Sequence, residues 1–306
     1  MNMWNGSAFL REAIDSVISQ THRDWELIVW DDRSTDDSAE IVKSYRDGRI
    51  RYFLSPQQIN VGHSRHLAMQ EAKGEWVAFL DQDDIWVRDK TEKQLALGLS
   101  APDVGLVYGR TVSFTPAGRK RDFDHRHEFA PLPEGPILKR LFIDACFIAM
   151  SSAMFRRSAL EELGGIPPDI HVSPDYYMYL GVSQRYKARA VQDVICFYRL
   201  HDNNITPRVF KRIHSECLWL IDRWGMPVSP GILARRRKVH HTLVALEELR
   251  GKQTKRLGLV RLLSKGSLVY LLSRPFARSF RALRRKIEKP YWQRAQGDRL
   301  AAGQHN

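Results

Sequence analysis

The chain has 306 residues, 43% of them hydrophobic, three cysteines and a formal net charge of +13. That length buries one large core or two smaller ones, while three cysteines without a CxxC pair exclude a disulfide scaffold and point to reduced thiols in a cytoplasmic protein. The charge is uneven: residues 229–306 carry 19 Lys and Arg against 4 Asp and Glu, whereas the rest of the chain sums to −2.

Residues 9–19 repeat apolar side chains at a helical period (Phe9, Leu10, Ala13, Ile14, Val17, Ile18). "LIVW" (27–30) is a short apolar run ending in Asp31 and Asp32, which reads as a buried strand. Ser34 or Thr35 is expected to cap the helix that follows in "STDDSAEIVKSY". "RIRYFL" (49–54) is a second strand, residues 64–73 form a helix stopped by Gly74, "WVAFLD" (76–81) is a third strand and residues 89–99 the next helix. This alternation predicts an α/β fold with a mainly parallel sheet. Ligands bind such sheets beyond the carboxyl ends of the strands, so Asp31, Asp32, Asp81 and Asp83 converge on one crevice. Farther on, "VGLVYGRTVSF" reads as a strand pair and "SSAMFRRSALEELGGI" as a strand, a helix from about Ser158 and a Gly164-Gly165 stop. "SPDYYMYLGVSQRY" is a helix capped near Ser173, and "ARAVQDVICFYRLH" is a strand ending at His201. Pro227, Pro230 and Gly231 mark a boundary before a basic helical extension.

"FLDQDDIW" crowds three carboxylates at a strand end, where like charges repel and a hard divalent cation compensates them. An EF-hand loop is excluded by Ile85 and Trp86 at the positions that need a ligand and then Gly. An aspartyl-phosphate phosphatase leaves Asp31 and Asp32 without a role. The order "FLREAIDSVISQTHRDWELIVWDDRSTDDSAEIVKSY" and then "NVGHSRHLAMQEAKGEWVAFLDQDDIWVRDK" resembles the family 2 glycosyltransferases, inverting nucleotide-sugar enzymes of the Rossmann-like GT-A fold, over residues 4–205.

That resemblance implies roles residue by residue. Asp31 and Asp32 match the pair that recognises the donor's base, and Trp4 falls where an aromatic stacks on it. Asp81 and Asp83 match the metal-binding Asp-x-Asp, with Asp81 also on the donor side. The cofactor is then Mg²⁺ or Mn²⁺, bridging the two phosphates. Asp84 turns away to cap the helix or bond the loop. Asp175, after the Gly-Gly-hydrophobic turn in "GGIPPDIHVSPDYYMYL", matches the general base, although Pro174 replaces the usual Glu. His201 in "YRLHDNNIT" matches a residue that ligates the metal or touches the diphosphate. Arg65 matches the family's arginine, in a segment two residues shorter than usual.

Family members open with an apolar strand ahead of a Thr-Tyr-Asn motif, and "MWNGSAFL" starts at the end of that motif. The sheet is therefore expected to lack its first strand, with either a start upstream of Met1 or a damaged copy. The expected organisation is a GT-A domain over 1–226, divided into a nucleotide-sugar half (1–110) and an acceptor half (111–226), then a basic helical extension over 227–306. Its stripe of Phe276, Phe280, Leu283 and Ile287, backed by arginines, suits an anionic membrane surface, with a plain amphipathic helix packed on the body as the rival reading. The longest apolar stretch, 257–272, is broken by Arg261 and Lys265, so no transmembrane helix is expected. The start has no signal-like apolar run, so a cytoplasmic location is expected, with the basic tail allowing peripheral attachment to the inner face of the cell membrane. The partners are then a nucleotide-diphosphate sugar and a glycan or lipid-linked acceptor, in cell-surface polysaccharide or glycolipid synthesis. Two other readings stay open: an inactive remnant acting as a binding module, which fails to bind nucleotide, and a nucleic-acid binder acting through the tail, although the body carries no nucleic-acid motif.

Overall fold

The computed structural model describes residues 1–115, 118, 120–122, 130–144, 146–204 and 209–250. The amphipathic stripe from Phe276 to Ile287 lies outside them. Contacts divide the chain into two units, Met1–Leu200 with Trp219–Leu233 and His201–Leu218 with Ala234–Asn306.

The elements run β1 (Asn2–Met3), α1 (Leu10–Ile18), β2 (Leu27–Asp31), α2 (Ser38–Ser44), β3 (Ile50–Leu54), α3 (Val61–Gln70), β4 (Trp76–Ala78), β5 (Ile85–Trp86) and α4 (Lys90–Gly98). They continue with β6 (Val104–Phe114), β7 (Lys120–Asp122), α5 (Leu138–Asp144), a 3₁₀ turn (Met150–Ser152), β8 (Met154–Arg156), α6 (Arg157–Glu162), α7 (Pro174–Val182), β9 (Lys187–Arg199), α8 (Phe210–Trp224) and α9 (Pro230–Arg250).

The first sheet has the order β1-β2-β3 and is parallel throughout. Successive side chains of a strand point to opposite faces, and β2 uses both. Leu27 and Val29 join Leu10, Ala13, Ile14 and Val17 of α1 and Ile41 and Val42 of α2 on one side, while Ile28 and Trp30 pack with Ala68 of α3 on the other. Every residue of β2 is buried, as expected for a strand with helices on both faces.

The expectation of a missing first strand is corrected. Asn2 and Met3 form a short strand in register with Trp30 and Asp31. The ladder extends at both ends, with Trp30 N donating to Met1 O (2.9 Å) and Asp32 N to Met3 O (2.8 Å). The backbone groups at the carboxyl end of β2 are therefore paired.

The second sheet has the order β4-β8-β6-β9-β5, with β7 on β6. Only its β6–β9 pair is parallel, so the mainly parallel reading holds for the first sheet and the second is mixed. "VGLVYGRTVSF" is one eleven-residue strand and not a pair. Its Gly109 marks a close approach rather than a turn, since a Cβ there would sit 2.4 Å from Ile195 Cδ1. Two helices begin elsewhere than expected. The helix after β2 starts at Ser38, because Asp36 takes the Ser38 N–H while Asp31 and Asn5 take those of Ser34 and Thr35. α3 starts at Val61, because Asn60 Oδ1 caps it by accepting from His63 N (2.9 Å). Among the described residues no helix is long and apolar enough to cross a membrane.

Candidate active site

β2 ends in Asp31, 1% exposed, and its burial is compensated by two donors. Ser34 N donates to Oδ1 (2.8 Å) and the Tyr52 hydroxyl to Oδ2 (2.7 Å). Burial, and then this bond to a carboxylate, push the Tyr52 pKa up, so the phenol stays a donor. Asp32 Oδ1 accepts from Ile59 N (2.8 Å). Burial raises the Asp32 pKa, the Ile59 N–H opposes the shift and Asp31 adds to it.

Opposite them lies the loop after β1. Asn5 N donates to Ser34 Oγ (3.0 Å), and Asn5 Oδ1 accepts from Thr35 N (2.7 Å). Asp36 accepts from Ser7 N (3.0 Å) and from the Ser38 N–H and hydroxyl. Burial works against the Asp36 carboxylate, but the Ser38 and Ser7 donors outweigh it and hold its pKa low. Trp4 is half-exposed beside this loop.

After β4 the chain turns through Asp81, Gln82, Asp83 and Asp84. Asp81 and Asp83 are partly exposed, whereas Asp84 is buried. Asp84 accepts from Arg199 N (2.9 Å) and from the Ser151 hydroxyl (2.5 Å), and so bonds the loop rather than capping α4. Ser151 Oγ in turn accepts from Asp81 N (3.1 Å), and Arg199 Nε donates to Asp83 O (2.8 Å). One buried carboxylate, one serine and one arginine thus hold the backbone of the motif. Burial, and then Asp83 and Asp81, push the Asp84 pKa well up.

Arg65, buried on α3, reaches this turn and pairs its guanidinium with Asp81 Oδ1 (2.5 Å). Burial alone would lower its pKa, but Asp81 and then Asp175 outweigh that and raise it, so the cation is kept. Asp175 is in the first turn of α7, immediately after Pro174. Burial raises its pKa, Arg65 and the Tyr176 N–H pull it down, and Asp81 pushes it up. Asp81, Arg65 and Asp175 therefore form one electrostatic cluster, although they come from the turn after β4, α3 and α7.

Among the described residues no three His, Cys, Asp or Glu side chains come together as a metal cage. The His201 ring is engaged in its own turn, where Nδ1 accepts from Asn203 N (3.2 Å) and Nε2 lies 3.3 Å from Asn204 Nδ2. The donor set fits a cation all the same. Two partly exposed carboxylates on a fixed loop are what Mg²⁺ or Mn²⁺ takes from protein when phosphates and waters complete its shell. Sequence reasoning missed Tyr52, Gln82, Ser151 and Arg199. Only Arg199 left a signal, as the arginine of "YRLH".

The family model of glycosyl transferase family 2 matches residues 1–164. The chain belongs to this family. Among curated proteins it is similar to the Escherichia coli UDP-Glc:alpha-D-GlcNAc-diphosphoundecaprenol beta-1,3-glucosyltransferase WfaP, with 29% identity over 76% of this chain and 84% of that protein. It is also similar to the putative teichuronic acid biosynthesis glycosyltransferase TuaG of Bacillus subtilis, with 28% identity over 72% and 84% of the two chains. In fold it matches S. aureus TarS 1-349 in complex with UDP-GlcNAc (TM-score 0.60, 16% identity, 86% of this chain and 71% of that one). It matches the mannosyltransferase PcManGT of Pyrobaculum calidifontis, in complex with GDP-Man and Mn2+, with a TM-score of 0.57, 19% identity and coverage of 90% and 80%. The protein is a family 2 glycosyltransferase of GT-A fold, related to enzymes of lipid-linked and polysaccharide glycan synthesis.

Proposed function

We propose that this glycosyltransferase moves a hexose from a UDP-hexose to a hydroxyl of a lipid-diphosphate-linked glycan, by a single displacement that inverts the anomeric centre. The observation that carries the reading is Arg65, which is paired with Asp81 and close enough to Asp175 for each to shift the other. It joins the donor-phosphate side of the cluster to a carboxylate suited to proton abstraction.

In this reading the base stacks on Trp4 and is recognised by Asp31 and Asp32 at the end of β2. Asp81 and Asp83 hold Mg²⁺ or Mn²⁺, which supplies positive charge for the departing diphosphate. Arg65 adds a fixed positive charge on the same side. Asp175 accepts the proton of the acceptor hydroxyl, and burial brings its pKa closer to the working pH, where a general base is most effective. The basic segment 227–306 brings the enzyme to an anionic membrane surface, where lipid-linked acceptors reside.

The test is transfer of label from UDP-[¹⁴C]glucose to a synthetic prenyl-diphosphate-linked N-acetylglucosamine in the presence of Mn²⁺. Label in the lipid extract is expected, and it disappears in excess chelator and in a folded Asp83→Ala variant. Full transfer under either condition would remove the metal from the reaction.

A further inference from the structure

Gln82 lies between Asp81 and Asp83, 78 positions from Trp4. Its side-chain amide makes the two bonds that a neighbouring strand would make. Oε1 accepts from Trp4 N (2.8 Å), and Nε2 donates to Trp4 O (3.0 Å). The two bonds take over where the β1–β2 register ends, at Met3. The next residue, Asn5, has φ 48°, a left-handed backbone that asparagine enters more readily than most residues and that its surroundings hold here. Those surroundings are Ser34 and Thr35 on one side and Gln82 on the other. Gly6 makes room for the arrangement, since a Cβ there would sit 2.4 Å from Gln82 Oε1. The Trp4 ring is half-exposed, and the backbone that Gln82 holds fixes the Cα–Cβ bond from which the indole extends.

We infer that Gln82 is a positioning residue for nucleotide recognition: it holds both the N–H and the C=O of Trp4 and so directs the indole toward the base. The inference rests on the nucleotide-sugar reading above. It makes the middle residue of the Asp-x-Asp motif part of the base-binding wall while its two neighbours serve the phosphates.

The experiment is calorimetric titration of the full chain with UDP and with GDP at saturating Mn²⁺. Gln82→Met keeps the length and removes both bonds. It is expected to weaken binding about tenfold, the scale of a pair of accessible hydrogen bonds. In a Trp4→Ala background the same change adds no further loss, because its route runs through Trp4. Gly6→Ala displaces the flexible end of Gln82 and gives the same weakening with the amide still present. Binding within twofold of wild type in both single variants, or a Gln82→Met loss that adds in full to Trp4→Ala, overturns the inference. A wild-type chain that binds neither nucleotide overturns the nucleotide-sugar reading itself, and the inference with it.

Discussion

Asp175 is under opposing pressures that decide its use. Burial raises its pKa and Arg65 draws it back. A base works ionised, so activity grows as pH rises through the raised pKa, and the acid limb of kcat/KM lies above the ordinary carboxylate range. Arg65→Gln removes the positive charge that favours the carboxylate. Its acid limb is expected at higher pH than wild type, and an unmoved limb would separate Arg65 from the base. The carboxylates are legible in the sequence because acids at strand ends and in a helix's first turn follow from local pattern alone. Pro174 looks like damage to the motif, yet it occupies the start of α7, where a proline fits without cost to the helix. Gln82 and Ser151 are not legible. A side-chain bond across 78 or 70 positions leaves no periodicity to read.

Among the elements, the turn between β4 and β5 is held from behind by the 3₁₀ turn and by the end of β9. Ser151 stands at the centre of that support, with Asp81 N, the Asp84 carboxylate and, through its carbonyl, the Trp86 Nε1–H as partners. Ser151→Ala takes one partner each from the buried Asp84 carboxylate and the part-buried Asp81 N–H and is expected to cost about 1–3 kcal/mol in thermal or denaturant unfolding. Because the loop loosens, half-activation should also need several-fold more Mn²⁺, and Ser151→Thr should recover most of both losses by keeping the hydroxyl. A stability loss with unchanged metal requirement would make Ser151 purely structural. Periodicity identified nearly every helix and strand of the first sheet. It failed at β6, where Gly109 mimics a turn signal but exists to let Ile195 pass, and at β1, which is too short to carry a pattern.

For the whole molecule, two features involve residues other than those of the candidate cluster. Within the second unit His214 of α8 and His240 of α9 have their Nδ1 atoms 3.0 Å apart. Burial, and then Arg236, hold these imidazoles below the ordinary 6.5, at about 4 and about 2. The unfolded chain therefore binds more protons below pH 6.5, and stability present above that value is lost as pH falls toward 4. The drop in Tm between pH 7.5 and pH 5 should shrink in a His214→Gln/His240→Gln variant, and parallel curves would refute a role for the pair. The other feature is the charge surplus of residues 229–306, legible from composition alone, whereas the acceptor's identity depends on side-chain shape that no short motif encodes. The central claim is a single displacement with Asp175 as base, and the anomeric configuration of the first product tests it most directly. Proton NMR at early turnover with an α-linked UDP-hexose is expected to show a β-linked product, and Asp175→Asn should bind nucleotide yet lose transfer by roughly two to four orders of magnitude. An α-linked product, or near-normal turnover by Asp175→Asn, would contradict the account.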